Sequence, residues 1–432
     1  MAGGTRPRVL PRDPAPAPPP APPGTAADAP APGTTAGAPA PGTTVDAPAG
    51  IPFNRTHLSA NELDYLAEAV RRGSTSGDGP FTRRAAELLR EMTGARQVLL
   101  TTSCTHALEM SAILLDLRPG DEVIMPSFTF VSTANAYALR GAVPVFVDCR
   151  PDTLNVDERL IEAAITDRTR AVVVVHYAGV ACAMEEIGEI CDRYALPLVE
   201  DNAHGLGGSY RGRPLGAFGA LAAQSFHETK NVQCGEGGAL LLNDAGLMAR
   251  AEVIREKGTD RSRFFRGQVD KYRWVDIGSS YLLSDILASQ LTSQLESFAE
   301  TQARRLAAWR GYHEGLAGWA AENGVRLPTV PDGCAHPAHL YYLLLPDLAS
   351  RGALIAHLGD RGVQATFHYQ PLHAAPAGLR YGRTAPGGCP VTESVADRLV
   401  RLPLFADLGA TGVTRVLDAV RSHEVSRWPG RT

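Results

Sequence analysis

From Gln97 to Leu242, short runs of β-branched and apolar residues alternate with longer stretches whose apolar positions recur at helical spacing. The runs are Val98-Leu99-Leu100, Glu122 to Met125, Val143 to Val147, Ala171 to Val175, Pro197 to Glu200, Leu221 to Phe226 and Ala239 to Leu242. They lack the strict apolar-polar alternation of a half-exposed strand, so each must be covered on both faces. Continuous apolar strands separated by helices predict an α/β fold with a mostly parallel central sheet. In such a sheet a ligand sits beyond the carboxyl ends of the strands. Phe128, Asp201 and the segment from Ser225 to Lys230 all fall there.

Between Leu282 and Ala320 helix breakers are few and the apolar spacing stays helical, which predicts a helical link from a large domain, residues 51–324, to a smaller one, residues 325–432. In the smaller one, Leu340 to Leu345 and Val363 to Tyr369 read as strands and Ala353 to Leu358 as a helix, an α+β pattern. The first 50 residues follow neither period. They hold 14 of the chain's 32 prolines and a nine-residue repeat, with Ala-Pro-Ala-Pro-Gly-Thr-Thr starting at 29 and again at 38. So little apolar area cannot offset the entropy of ordering, and residues 1–50 are expected to form a disordered tail with partial polyproline II character.

Composition removes whole classes of function. A formal net charge of −4 over 432 residues offers no general attraction to nucleic acid or to an anionic membrane, so any anion site has to be local. The cysteines, at 104, 149, 182, 191, 234, 334 and 389, show neither a CxxC pair nor metal-ligand spacing, and their odd number does not suit a disulfide framework. No apolar run approaches the roughly 18 residues of a membrane span, and residues 1–50 lack the apolar core of a secretory signal. The expectation is a cytoplasmic protein with reduced thiols and no metal.

Three positions carry candidate chemistry. Thr101-Thr102-Ser103-Cys104-Thr105-His106 joins a strand to a helix, where backbone N–H groups and hydroxyls make a ready anion site. Asp201 ends the strand Leu198-Val199-Glu200, inside an apolar stretch where an unpaired carboxylate would be costly. Lys230 closes the run Ser225-Phe226-His227-Glu228-Thr229-Lys230, ahead of the flexible turn Cys234-Gly235-Glu236-Gly237-Gly238. Each has a plainer reading alone: a helix cap for the first two, a solvated side chain for the lysine. Together they match the phosphate site, ring-nitrogen partner and Schiff-base lysine of a pyridoxal phosphate (PLP) enzyme. Cys104 lacks the His/Asn partner pattern of a cysteine nucleophile.

The ordered set Thr102-Ser103-Cys104-Thr105, Pro126-Ser127-Phe128-Thr129-Phe130, Glu200-Asp201-Asn202-Ala203-His204, Ser225 to Lys230 and Gly235-Glu236-Gly237-Gly238 resembles the DegT/DnrJ/EryC1 family of PLP-dependent nucleotide-sugar aminotransferases. Arg255 to Thr259, Phe264 to Tyr272 and Asp276 to Tyr281 resemble one subgroup more closely: the dTDP-4-dehydro-6-deoxyglucose transaminases of the enterobacterial-common-antigen type and of actinomycete antibiotic deoxysugar pathways. The resemblance implies a type I PLP aminotransferase fold and a homodimer with each active site at the subunit boundary. By the same resemblance Lys230 is the Schiff-base lysine, Asp201 the pyridine-nitrogen partner and Phe128 the aromatic stacked on the ring. Cys104, through its backbone, Thr105 and Ser225 hold the phosphate. His204 stands where many members have a glutamine near the phenolic oxygen, and Ser280 where most have an asparagine that reaches the partner subunit's phosphate.

Residues 255 to 273 contain Arg255, Lys257, Arg261, Arg263, Arg266, Lys271 and Arg273 against three acids, interleaved with Phe264, Phe265 and Tyr272. Guanidinium groups suit a pyrophosphate and rings suit a base, so Arg255, Lys257, Arg266, Lys271 and Tyr272 are candidate nucleotide contacts. By the resemblance His368, with Tyr369 and His373, lines the sugar site. The expected reaction moves the amino group of L-glutamate to carbon-4 of a dTDP-linked 4-keto-6-deoxyhexose, with an equatorial or an axial product both compatible with the resemblance. The Ala-, Pro- and Arg-rich composition leans toward antibiotic deoxysugar synthesis.

Overall fold

The computed structural model describes residues 50–423 except Ser74, so the tail expected over residues 1–50 lies, apart from Gly50, outside the described residues. Eight strands build the main sheet: β1 (Gln97–Thr101), β2 (Glu122–Pro126), β3 (Val143–Val147), β4 (Thr169–Val175), β5 (Leu198–Asp201), β6 (Leu221–Ser225), β7 (Gly238–Leu242) and β8 (Arg383–Thr384). Their order is β1-β7-β6-β5-β4-β2-β3-β8. Every pair from β6 to β8 is parallel; β7 alone runs against both of its neighbours. All residues of β2, β6 and β7 are buried, the polar Glu122, Gln224 and Ser225 included, as a sheet covered on both faces requires.

Two expectations are corrected. The long helix is two, Asp285–Glu296 and Phe298–Asn323, because Ser297 leaves the helical conformation (φ −92°, ψ 6°) without any glycine or proline to announce it. The second helix ends at Gly324, whose φ of 63° reverses the chain at little steric cost. Val363 to Tyr369 is not a regular strand: it forms only the isolated bridges Val363 to Ile51 and Thr366 to Arg401. The strand Tyr341–Leu344 instead pairs antiparallel with Leu399–Leu402. These two strands and the helices Phe298–Asn323, Leu348–Asp360 and Gly409–Arg421 enclose a second core containing Tyr312, Leu343, Leu354, Val400 and Val416.

The short strand β8 ties this C-terminal part back to the main sheet. Arg383 donates from Nε (3.0 Å) and Nη2 (2.7 Å) to Glu122, which also accepts from Arg168 Nη2 (2.6 Å) and Thr166 Oγ1 (2.7 Å). Glu122 is fully buried, and these donors, Arg383 foremost, hold its carboxyl down at about 2. A depressed carboxylate stabilises the fold above its unfolded value of about 4.3, and that contribution is lost as pH falls toward the folded value. Urea denaturation is therefore expected to show wild-type stability dropping between about pH 4 and the folded value near 2, with Glu122→Gln flattening that slope.

Candidate active site

Register brings Thr101 of β1, Gly238 of β7 and Ser225 of β6 side by side, with Gly238 between the other two. A Cβ on Gly238 would stand 2.3 Å from the carbonyl carbon of Ser103 and 2.4 Å from the nitrogen of Cys104. Only glycine, therefore, lets the helix Cys104–Leu114 begin against β7. Extended Ser103 caps that helix, its Oγ accepting from His106 N–H at 3.1 Å. Other N–H groups of a first helical turn have no partner within the helix and attract an anion. Thr105 adds a hydroxyl, which donates to Ser132 Oγ at 2.8 Å.

These groups open on a cavity of about 460 Å³ that Cys104, Thr105, Asp201, His204, Ser225, Lys230, His368, Tyr369 and Arg401 also line. Asp201 is buried at the end of β5; Thr133 Oγ1 donates to its Oδ2 (2.7 Å) and Ala203 N–H to its Oδ1 (3.2 Å). Among the described residues no cation forms an ion pair with it, and burial raises its carboxyl despite those two bonds. Burial likewise lowers the Lys230 ammonium to about 8, with Cys104 and Asp201 acting to raise it and Arg401 to lower it. His204 stacks on His339 with ring centroids 4.2 Å apart, and its Nδ1 has no hydrogen-bond partner among the described residues. Burial first, then the charges of Lys230, His368 and Arg401, keeps His204 neutral. Burial also pushes the Cys104 thiol well up, which removes it as a nucleophile.

Not every expected residue stands on this wall. Phe128 is a correction: it is 1% exposed and packs against Tyr177 and Tyr369 outside the cavity lining, whereas Phe130, two residues on, lines it. Arg255 is another. It is buried outside the cavity lining, where Nη2 donates to both oxygens of Asp78 (2.6 and 2.8 Å). Lys257 pairs with Glu256 and Arg266 with Glu252, while Lys271, Tyr272 and Ser280 are exposed outside the cavity of their own chain. His373 bonds Ser127 and Glu393 instead of entering it. Ser132, His339 and Arg401 were not anticipated. Of these only Arg401 left a signal, as a charge inside the apolar run Leu399-Val400-Arg401-Leu402.

A single group would satisfy the cavity's open positions: a phosphate at the Gly238 cradle, a cationic ring nitrogen at Asp201, a polar substituent at His204 Nδ1 and an aldehyde at Lys230. PLP has all four. The model of the DegT/DnrJ/EryC1/StrS aminotransferase family matches residues 56–421. The chain belongs to this family. It is thus a PLP-dependent sugar aminotransferase. Solved structures agree: the aminotransferase TlmJ from Streptoalloteichus hindustanus is 34% identical over 86% of this chain and 98% of its own, with a TM-score of 0.78. DesV from S. venezuelae is 32% identical, with the same coverages and TM-score. Spr1654 from Streptococcus pneumoniae, solved in a PLP form, is 25% identical over 87% and 98%, with a TM-score of 0.79. Among the described residues of this aminotransferase no helix is long and apolar enough to cross a membrane, and no cluster of His, Cys, Asp and Glu could hold a metal ion.

Proposed function

We propose that this aminotransferase passes the amino group of L-glutamate to carbon-4 of dTDP-4-keto-6-deoxy-D-glucose, giving 2-oxoglutarate and a dTDP-4-amino-4,6-dideoxyhexose. The observation that carries the transfer chemistry is Lys230, half-buried in the same cavity as Asp201 and lowered to about 8. PLP, when bound, supplies an electron sink for the carbon that carries the amine. Lys230 Nζ, partly free amine near neutral pH, takes the proton from the donor's α-carbon and delivers one to the acceptor side in the second half. Asp201 would keep a positive charge at the ring nitrogen, and the Cys104 N–H, Thr105 and Ser225 would hold the phosphate. His204 would serve the phenolic oxygen, and Phe130, which lines the cavity, would take the stacking role first expected of Phe128.

The sugar assignment rests on the motifs at Arg255 to Tyr281 and on relatives such as Helicobacter pylori PseC, an aminotransferase of pseudoaminic acid biosynthesis. His368, whose Nδ1 lies 3.0 Å from Tyr177 Oη, suits the sugar's hydroxyls. A homodimer is supported by the exposed Phe265 (70%) and Trp274 (80%), which stand in one stretch of chain with the exposed Lys271, Tyr272 and Ser280. We assign Lys257, Arg266, Lys271 and Tyr272 to nucleotide contacts across that boundary. A dehydratase of this fold would need histidine in place of Lys230, so the lysine favours amino transfer.

The test is proton NMR of the product from purified protein, PLP, L-glutamate and dTDP-4-keto-6-deoxy-D-glucose. Two large couplings to the carbon-4 proton are expected for an equatorial amine, and one large with one small for an axial amine. A glutamate-responsive cofactor without any aminated product would overturn the choice of sugar.

A further inference from the structure

Arg401 occupies a strand whose neighbours define which way it faces. Val400 and Leu402 belong to the C-terminal core, while Leu399 belongs to the cluster of Phe128 and Tyr177. Side chains alternate along a strand, so Arg401 shares the face of Leu399, toward the cavity, which it lines. Its backbone is tied down, with N–H donating to Thr366 O at 2.7 Å. Its guanidinium sits over the Phe53 ring, 4.7 Å from the centroid, and Nε is buried without an acceptor among the described residues. No carboxylate pairs with it among the described residues, in contrast to Arg383, Arg255 and Arg250, which all hold acids. A half-buried guanidinium left without an anion is costly, and its planar fork of N–H donors fits a carboxylate or a phosphate.

We infer that Arg401 anchors the α-carboxylate of the amino-acid donor. This deepens the amino-transfer reading and rests on it. The cavity's other anion position, the helix start at Cys104, lies next to Ser225 and Gly238, whereas Arg401 enters from the C-terminal strand Leu399–Leu402. It acts on Lys230, His204 and His368. A donor's carboxylate is one bond from the α-carbon whose proton Lys230 must take, so a cation close to Lys230 suits it. A sugar nucleotide carries its diphosphate on carbon-1, across the ring from carbon-4, and places that charge farther out. Phe53 covers one face of the guanidinium and leaves its edge to bind.

The probe is α-methyl-L-glutamate, which presents the carboxylate but has no α-proton to lose. Its binding to full-length, PLP-loaded enzyme is measured by calorimetry, beside the half-reaction with L-glutamate and the half-reaction of the pyridoxamine phosphate form with keto sugar. Arg401→Gln is expected to weaken probe binding about 10- to 100-fold, the worth of charge-assisted hydrogen bonds to a carboxylate. Arg401→Lys should recover part of it, and the keto-sugar half-reaction should stay within about 3-fold, well under the tenfold that 1.4 kcal/mol brings. Probe affinity unchanged in a folded Arg401→Gln, or a loss confined to the sugar half-reaction, would overturn the assignment. Should both variants misfold, a crystal structure of the wild type with the probe decides: its α-carboxylate on the guanidinium supports the proposal, and its α-carboxylate elsewhere ends it. If the enzyme draws its amine from another amino acid, that acid's α-methyl analogue replaces the probe, so donor identity and the Arg401 assignment fail separately.

Discussion

Lys230→Ala is expected to lower turnover by on the order of 10⁴-fold or more, because one side chain supplies both the nucleophile and the proton carrier, and the second role alone is worth about 10²–10⁴-fold. The variant should still bind PLP, since the helix start at Cys104 and the carboxylate of Asp201 are untouched. Borohydride reduction should fix the cofactor to the wild-type chain and leave it removable from the variant. Lys230→Arg keeps a cation in place but cannot give up its proton near neutral pH, so it should be as inactive as the alanine variant. Appreciable turnover by either would show that another base moves the proton. The lowered ammonium adds a pH test on the apoenzyme. Covalent uptake of PLP needs the free amine, so its rate should rise with pH through a midpoint near 8, well below the about 10.4 of an ordinary lysine.

The strands were legible because burial on both faces forces unbroken apolar runs, and β1 to β7 each coincide with one to within about two residues. Direction was not legible. Nothing in Gly238 to Leu242 distinguishes an antiparallel strand from a parallel one; its reversal goes with a connection, residues 226–237, that folds without a crossover helix. The two-residue strand β8 was not legible either, because it is set by a partner far away in sequence. In β8 that partner is Glu122, 261 residues earlier.

The same distinction runs through the site. Asp201, Ser225 and Lys230 could be found because each ends or follows an apolar strand, and the ends of parallel strands converge. Phe128 and Phe130 could not be told apart, since a Phe-Thr-Phe run offers two rings and only the packing of Phe128 against Tyr177 decides which turns inward. Arg255 failed as a nucleotide contact because its acid, Asp78, comes from a segment 177 residues away. Arg401 reaches the cavity from the C-terminal core, a placement that only the pairing of Leu399–Leu402 with Tyr341–Leu344 produces.

Asp201→Asn should move the apoenzyme and the loaded enzyme in opposite directions. Without cofactor the carboxylate is buried with no cation, and burial raises it, so the folded chain holds that proton more tightly than the unfolded one. Its contribution is therefore most favourable below the unfolded value of about 3.9 and is lost as pH rises through the folded value. Asparagine removes that loss, so the melting temperature of the apoenzyme should hold or rise near neutral pH, and the wild-type-minus-variant difference should grow with pH. With PLP bound, the carboxylate has a cationic ring nitrogen to pair with. Breaking a buried pair costs about 3–5 kcal/mol, which corresponds to a loss of roughly 10²- to 4 × 10³-fold in PLP affinity by equilibrium dialysis. The stabilisation that PLP confers on melting should shrink accordingly. A variant that melts lower as apoenzyme yet binds PLP as tightly as wild type would reduce Asp201 to a turn residue holding the Ala203 N–H. The opposed signs separate the two roles, since a group that only stabilised the turn would weaken both states alike.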